Sequence, residues 1–580
     1  MTVLGSSVRQ QSAHCSAGVQ EGSRIRRLAR VLYRSCRLAS ATMMRSSLPG
    51  EVMLRKYQTS IGSFTRKSTF FWASVGATVG LANLWQFPYL ASIHGGGLFI
   101  LLYLACLLVV TLPLMVTEAV IGRHARHGIV LAMDGMVKNA GCSPFWRLAG
   151  PLSIIAAFVV LSFTAVFGGI VLAYIFFGAA DRFEGASAAS ATAVLSELVS
   201  DPGHYRQFMA WHVFFVILVV AVSARGVVKG LERSMRMIVP CTLLLMLVLF
   251  GLAAMRGSLQ SGIDHVLVMR PEQVTAASIK AAFFHAFYTL GLGMGVWAIF
   301  GAYSTSHTRL KRSILAVVLM DTLVAIMAGL MMFSVAADGS SLEGERGFSL
   351  LFVSLPVALS DLPYSQVVIA SVFLLVVLIV WATGLSLLEP VVGWFREWTG
   401  APRGWSAVIV GLAVWFAGLA SLFSFNLWAE YRIGGATVFR WLELVAGGIV
   451  IPAVAILIAT FAGWCITRRF AATILGNAPV VFRRIWFWVM RLVLPVVAAW
   501  IGLQYTLFSL GSLCDNGSAA IWCQQPTASA EAQNRAPEDS PVEEDVPPKT
   551  PEEAVLPAEN GQPEPDENAP KEGDILYHSV

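Results

Sequence analysis

Oxygen-bearing side chains stand inside stretches of this sequence that are otherwise apolar enough to lie in lipid. The stretch Gly76-Ala-Thr-Val-Gly-Leu-Ala-Asn-Leu-Trp-Gln-Phe-Pro88 carries Thr78, Asn83 and Gln86 between Gly76, Gly80 and Pro88. A second, His285-Ala-Phe-Tyr-Thr-Leu-Gly-Leu-Gly-Met-Gly295, sets Tyr288 and Thr289 just before Gly291, Gly293 and Gly295. Elsewhere in apolar surroundings stand Tyr103, Thr117-Glu118, Asp321-Thr322, Thr383, Ser386 and Glu389-Pro390. Polar groups inside lipid-spanning segments are costly, and therefore informative. Glycine weakens a helix, and proline removes a donor and clashes with the preceding turn. In lipid the carbonyls and amides so freed are tolerated only where they face protein, water or a bound ion. Each interruption is thus a place to hold something charged. No nucleophile–base pair or metal cluster appears among these residues, which argues against an enzyme.

The elements that must position them follow from composition. With 56% hydrophobic and 13% charged residues among 580, the chain is too apolar for a soluble protein. Eleven apolar segments have bilayer-crossing length: about 69–90, 97–121, 149–178, 207–224, 237–255, 276–303, 313–335, 364–395, 405–424, 441–465 and 485–511. Loops after the even-numbered segments are rich in base, as in Arg225, Lys229, Arg233 and Arg236, or Arg309, Lys311 and Arg312. The opposite loops hold acid, as in Glu184, Glu197 and Asp201. The base-rich side is cytoplasmic, so the N-terminus lies inside and an odd number of spans puts the C-terminus outside.

Residues 1–67 carry twelve Lys/Arg against Glu21 and Glu51 and read as a basic cytoplasmic arm. Residues 68–511 form the membrane core. Residues 512–580 are an acidic, Pro-rich tail with no apolar periodicity, read as disordered. The eight cysteines show no metal spacing, and Cys514 and Cys523 are placed to pair if that side is oxidising.

Packing of small residues accounts for any one of these glycines. It accounts less well for segments 1 and 6 both joining clustered glycines to oxygen-bearing residues, five segments apart. Paired interrupted spans in corresponding positions of two halves point to a transporter's binding site. The motifs also carry a resemblance: Gly80-Leu-Ala-Asn-Leu-Trp-Gln-Phe-Pro-Tyr89, Gly95-Gly-Gly97, Leu112-Pro-Leu-Met-Val-Thr-Glu118, Lys229-Gly-Leu-Glu232, the segment-6 stretch, Asp321-Thr-Leu and Ser386-Leu-Leu-Glu389. In this order, from about Phe64 to the end of segment 11, the chain resembles the sodium:neurotransmitter symporter family and its bacterial amino-acid-transporting branch.

The resemblance implies an all-α membrane protein of about eleven transmembrane helices: two inverted five-helix repeats with broken helices 1 and 6, plus one further helix. It implies Na⁺-coupled import of a neutral amino acid or close derivative by alternating access, in a plasma membrane, bacterial inner membrane in particular. A non-transporting sensor or partner-bound protein on the same scaffold is the alternative. One Na⁺ would take the Thr78 carbonyl, Asn83, Thr289, Asp321 and the solute's carboxylate. A second would take the carbonyls of Gly76, Val79 and Ile379 and the Thr383 hydroxyl, one side-chain ligand short because Ala382 precedes it. Hard cations suit such oxygens. Gly80 leaves room for a carboxylate on the Leu81 and Ala82 amides, and Val160, Phe163, Thr164, Tyr288, Thr289, Gly291 and Met294 would line the rest. Asp321 stands where chloride-dependent members carry asparagine, and Ala325 where they carry serine, which implies chloride independence.

The departures are equally specific. Thr164 replaces the family's helix-3 tyrosine. Gln86 replaces the outer-gate arginine whose acidic partner is Glu443, with Arg440 nearby. His285 replaces a glutamine near that gate and is titratable, which opens the question of a proton-linked step. Ile61 and Phe64 replace the inner-gate arginine and tryptophan, leaving Lys56 or Arg66 for that task.

Overall fold

The computed structural model describes residues 61–335, 349–466 and 480–515. The basic arm up to Ser60 (Lys56 included), Cys523 and the tail beyond Asp515 lie outside the described residues, so the readings made of them stand as expectations.

The first span is interrupted: α1 (Thr69–Thr78), α2 (Leu81–Leu84) and α3 (Gln86–Ile93) follow one another with breaks at Val79-Gly80 and at Trp85. Then come α4 (Gly97–Ala125), the short α5 (Ile129–Ala140), α6 (Pro144–Ala179), the short α7 (Ala188–Val199), α8 (Pro202–Ala224), α9 (Val227–Arg256) and the short α10 (Leu259–Val266). The sixth span is interrupted in turn, as α11 (Ala276–Tyr288) and α12 (Val296–Tyr303). It is followed by α13 (Leu310–Val335), the short α14 (Leu350–Ser360), α15 (Ser365–Thr399), α16 (Arg403–Phe423), α17 (Val438–Cys465) and α18 (Arg483–Leu510). Nine of these are long and apolar enough to cross a bilayer, and with the two interrupted spans they make eleven among the described residues. The fourth span, short as an apolar segment, begins at Pro202 and is long enough.

The architecture is two inverted five-helix repeats plus α18, with the interrupted spans heading each repeat. Hydrophobic matching to lipid does not by itself bring helices together, so close approach relies on small residues. Gly122 on α4 and Gly301 on α12 show this reciprocally. A Cβ at Gly122 would sit 1.8 Å from the Ala298 carbonyl oxygen, and one at Gly301 would sit 1.9 Å from that of Ala119. The two backbones therefore touch, and α12 is fixed against α4. On the far side of the bundle α6 packs along α15, joining the two repeats. Between these supports lie the two breaks.

Candidate functional site

The breaks are built differently. In the first span, Val79 and Gly80 adopt extended backbone, and the Asn83 side-chain oxygen accepts the Gly80 amide at 3.0 Å. In the sixth span, Gly291, Gly293 and Gly295 all have φ between 63° and 73°, a left-handed conformation that side chains other than glycine enter only at a cost. The freed groups there find partners. Glu118, fully buried on α4, accepts the Gly293 amide at 2.9 Å, and the Trp297 indole donates to the Leu290 carbonyl at 2.8 Å. In the sequence Glu118 is one of the isolated polar residues of the second apolar segment. Its carboxylate reaches the break and braces it.

Oxygens converge where the breaks meet. The Thr289 hydroxyl lies 3.4 Å from the Asn83 side-chain oxygen, and the Asn83 amide donates to the Asp321 carbonyl at 3.4 Å. The Asp321 carboxylate is fully buried. Its Oδ2 accepts from the Tyr103 hydroxyl at 3.3 Å, while Oδ1 has no partner among the described residues. The Thr78 hydroxyl, close to the carboxylate, bonds the Val75 carbonyl at 3.3 Å. A buried carboxylate oxygen left bare is costly, and a hard cation is the group that would satisfy it together with Asn83 and Thr289. A second cluster joins the Thr383 hydroxyl to the carbonyls of Val79 at 3.4 Å and Ile379 at 3.2 Å. Gly76 lies against it: a Cβ there would be 3.2 Å from that of Ala382.

Beside these oxygens opens a cavity of about 740 Å³, its mouth included. Gly80, Leu81, Ala82, Val160, Thr164, Tyr288, Thr289, Gly291 and Met294 line it, with Thr78, Asn83, Gln86, His285 and Thr383. One expected lining residue is absent. Phe163 turns away and packs edge-on to Phe439 at 5.9 Å. Val296, Val380, Ser386 and Leu387 line the cavity without having been singled out as lining residues. Val380 and Leu387 lie three residues before and four after Thr383 on α15, so helical spacing from that hydroxyl was the signal for them.

This geometry meets an independent finding. A model of the sodium:neurotransmitter symporter family matches residues 62–192 and 188–517. The chain belongs to that family. Within it, the chain is 29% identical over 433 residues to the sodium-dependent transporter YhdH of Bacillus subtilis, covering 74% of this chain and 94% of that one. A sodium-dependent transporter of Haemophilus influenzae is 24% identical over 448 residues, covering 75% and 96%. Among solved structures, MhsT in complex with L-phenylalanine superposes with a TM-score of 0.67 at 28% identity, covering 77% of this chain and 99% of that one. The chain is a sodium-dependent symporter, a multi-pass membrane transporter rather than an enzyme.

The gate departures resolve into specific contacts. Gln86 is exposed and lines the cavity, whereas Glu443 does not line it. Glu443 is buried on α17 and pairs with Arg440 of the same helix at 3.5 Å. His285 is buried between Phe87 and Tyr103, with ring centroids 5.4 and 5.3 Å away, and its Nε2 has no partner among the described residues. At the end of the bundle where α1 begins and α12 ends, Arg66 is exposed; its backbone amide donates to Glu232 at 3.2 Å and its carbonyl accepts the Thr69 amide at 3.2 Å. Glu232 also accepts from the Thr65 amide at 2.7 Å, the Thr65 hydroxyl at 2.8 Å and the Thr69 hydroxyl at 2.7 Å. Ile61 and Phe64 are buried there, and the Phe64 amide donates to the Tyr303 carbonyl at 2.8 Å. Behind them Glu389 accepts from the Tyr303 hydroxyl at 2.9 Å, from the Ser223 hydroxyl at 3.1 Å and from Arg403.

Proposed function

We propose that this symporter imports a neutral amino acid or close derivative with Na⁺ by alternating access across a bacterial inner membrane, without needing chloride. The observation that carries the reading is the bare, buried Asp321 carboxylate oxygen beside Asn83 and Thr289, at the edge of a cavity with no Asp, Glu, Lys or Arg in its lining. A fixed negative charge there offsets a cation at mid-membrane, where an unpaired charge is expensive, and leaves no need for a mobile anion. The solute's amino acid backbone would set its carboxylate on the Leu81 and Ala82 amides and complete the shell of the first Na⁺. Val160, Val380, Met294 and Leu387 would receive an apolar side chain. MhsT, the similar structure, holds L-phenylalanine, which makes that amino acid the first to test here.

The second Na⁺ would sit among the Gly76, Val79 and Ile379 carbonyls and the Thr383 hydroxyl. Because the solute helps to hold the first ion, each strengthens binding of the other. The base-rich loops orient the molecule with the N-terminus and the Glu389–Arg403 network inside, and the C-terminus outside.

Purified protein in liposomes with an imposed Na⁺ gradient, offered radiolabelled L-phenylalanine and then a panel of neutral amino acids, tests this. Gradient-driven accumulation that survives replacing chloride with gluconate is the expected result. Collapse in gluconate sinks the chloride claim. Na⁺-dependent binding without accumulation marks a sensor on the same scaffold.

A further inference from the structure

We propose that Tyr288 closes the outer mouth of the cavity through a neutral hydrogen bond to the Gly447 carbonyl of α17, doing the work of an absent ion pair. This rests on the transporter reading above and names the residue that closes its site. Tyr288 ends α11 at the break of the sixth span and lines the cavity, and its hydroxyl donates to the Gly447 oxygen at 2.8 Å.

The acceptor is available for a reason written in the sequence. Residues Leu444–Val450 wind as a π-helix, whose bonds run from each carbonyl to the amide five residues on. Five residues beyond Gly447 stands Pro452, which has no N–H to give. The Gly447 carbonyl thus keeps free capacity and meets the tyrosine. Gly447 is also where Tyr505 of α18 comes close: a Cβ would lie 2.9 Å from its ring carbon Cζ. The Tyr505 ring packs against that of Tyr288 at 5.5 Å, and Phe287 packs edge-on to it at 5.1 Å, so the hydroxyl is held on its acceptor.

Ionic alternatives are taken up elsewhere. Glu443, one turn before Gly447, pairs with Arg440 on its own helix. Gln86 carries no charge, and among the described residues no salt bridge joins α3 or α11 to α17. A closure made by a hydroxyl and a carbonyl is not screened by salt, unlike an exposed ion pair.

The test is access to the cavity from outside. Full-length protein carrying Gln86→Cys, in right-side-out vesicles, is labelled with a membrane-impermeant methanethiosulfonate, and the parent chain with its own cysteines sets the background. Adding Tyr288→Phe, which keeps the ring, is expected to speed labelling roughly fivefold, the worth of one hydrogen bond, with thermal melting near the parent's. Adding Glu443→Gln instead is expected to leave the rate unchanged, and raising NaCl at constant Na⁺-site occupancy should not open the parent. Equal rates with and without the Tyr288 hydroxyl overturn the proposal, as does faster labelling in Glu443→Gln. Labelling needs no transported solute, so its failure is separable from failure of the uptake experiment.

Discussion

Glu389 and Asp321 are both fully buried carboxylates in the membrane core, yet they live in opposite circumstances. Glu389 has a hydroxyl or guanidinium donor on each oxygen, drawn from α8, α12 and α16. Asp321 has one long bond from Tyr103 and a bare second oxygen. A charge compensated within the protein ties helices together. One left uncompensated stores an affinity that only a cation from outside can release. The first arrangement closes the fold; the second is what a cation-binding site, as proposed above, would need.

If that contrast is right, the two residues respond oppositely to losing their charge. Glu389→Gln leaves the Arg403 guanidinium buried without its counter-charge, and breaking such a pair costs about 3 kcal/mol. Melting of the purified protein should fall steeply, with or without Na⁺. A drop of only a degree or two would mean that α8, α12 and α16 are held by packing alone. Asp321→Asn removes a charge that has no counter-charge among the described residues, so melting without Na⁺ should stay level or rise. What disappears is the gain from adding Na⁺, about 2.7 kcal/mol for the parent at a hundred times its dissociation constant. A variant that still gains as much from Na⁺ would remove Asp321 from the ion site.

Glu232 sharpens the comparison at intermediate size. Its oxygens gather four donors from the segment entering α1, where a carboxylate also meets the positive end of the helix. Glu232→Gln puts an amide donor among donors, and about 1–2 kcal/mol of closure should go. Thiol labelling of a cysteine placed at Ser63, measured from the inner side, should quicken accordingly. An unchanged rate would mean that Phe64 and its bond to Tyr303 hold this end unaided.

The contrast was only half legible in the sequence. The breaks were readable, because Gly291, Gly293 and Gly295 at alternate positions make a poor continuous helix, and Asp321, Asn83, Thr289 and Thr383 stood out as polar groups in apolar runs. The partners were not. Glu118 reaches Gly293 across 175 positions of chain, and Glu389 meets Arg403 through the turn into α16; both depend on how helices cross, which residue spacing along one helix does not fix. Phe163 shows the same limit at smaller scale. It neighbours Thr164 in sequence, but a helix turns about 100° per residue, enough to send one ring to Phe439 while the hydroxyl faces the cavity. Arg66 stood out for the inner side because a charge was sought there, whereas around Glu232 backbone amides and threonine hydroxyls are the donors.

The smallest expected effect concerns the second cluster, which sits between the two extremes. Its oxygens are neutral, and the Thr383 hydroxyl already bonds Ile379 and approaches Val79, so nothing there is as bare as Asp321. Ala382 faces Gly76 with a would-be Cβ only 3.2 Å away, and the hydrogen of glycine leaves the space a hydroxyl would enter. Ala382→Ser therefore adds one ligand oxygen without moving a helix. If an ion binds among Gly76, Val79, Ile379 and Thr383, the concentration of Na⁺ giving half-maximal stabilisation should fall a few-fold, in keeping with about 1 kcal/mol for one polar contact. The same substitution in Asp321→Asn isolates this cluster, since the first site no longer contributes. A Na⁺ response that reappears there would assign it to the second cluster, and one that stays flat in both backgrounds would leave a single ion coupled to the solute.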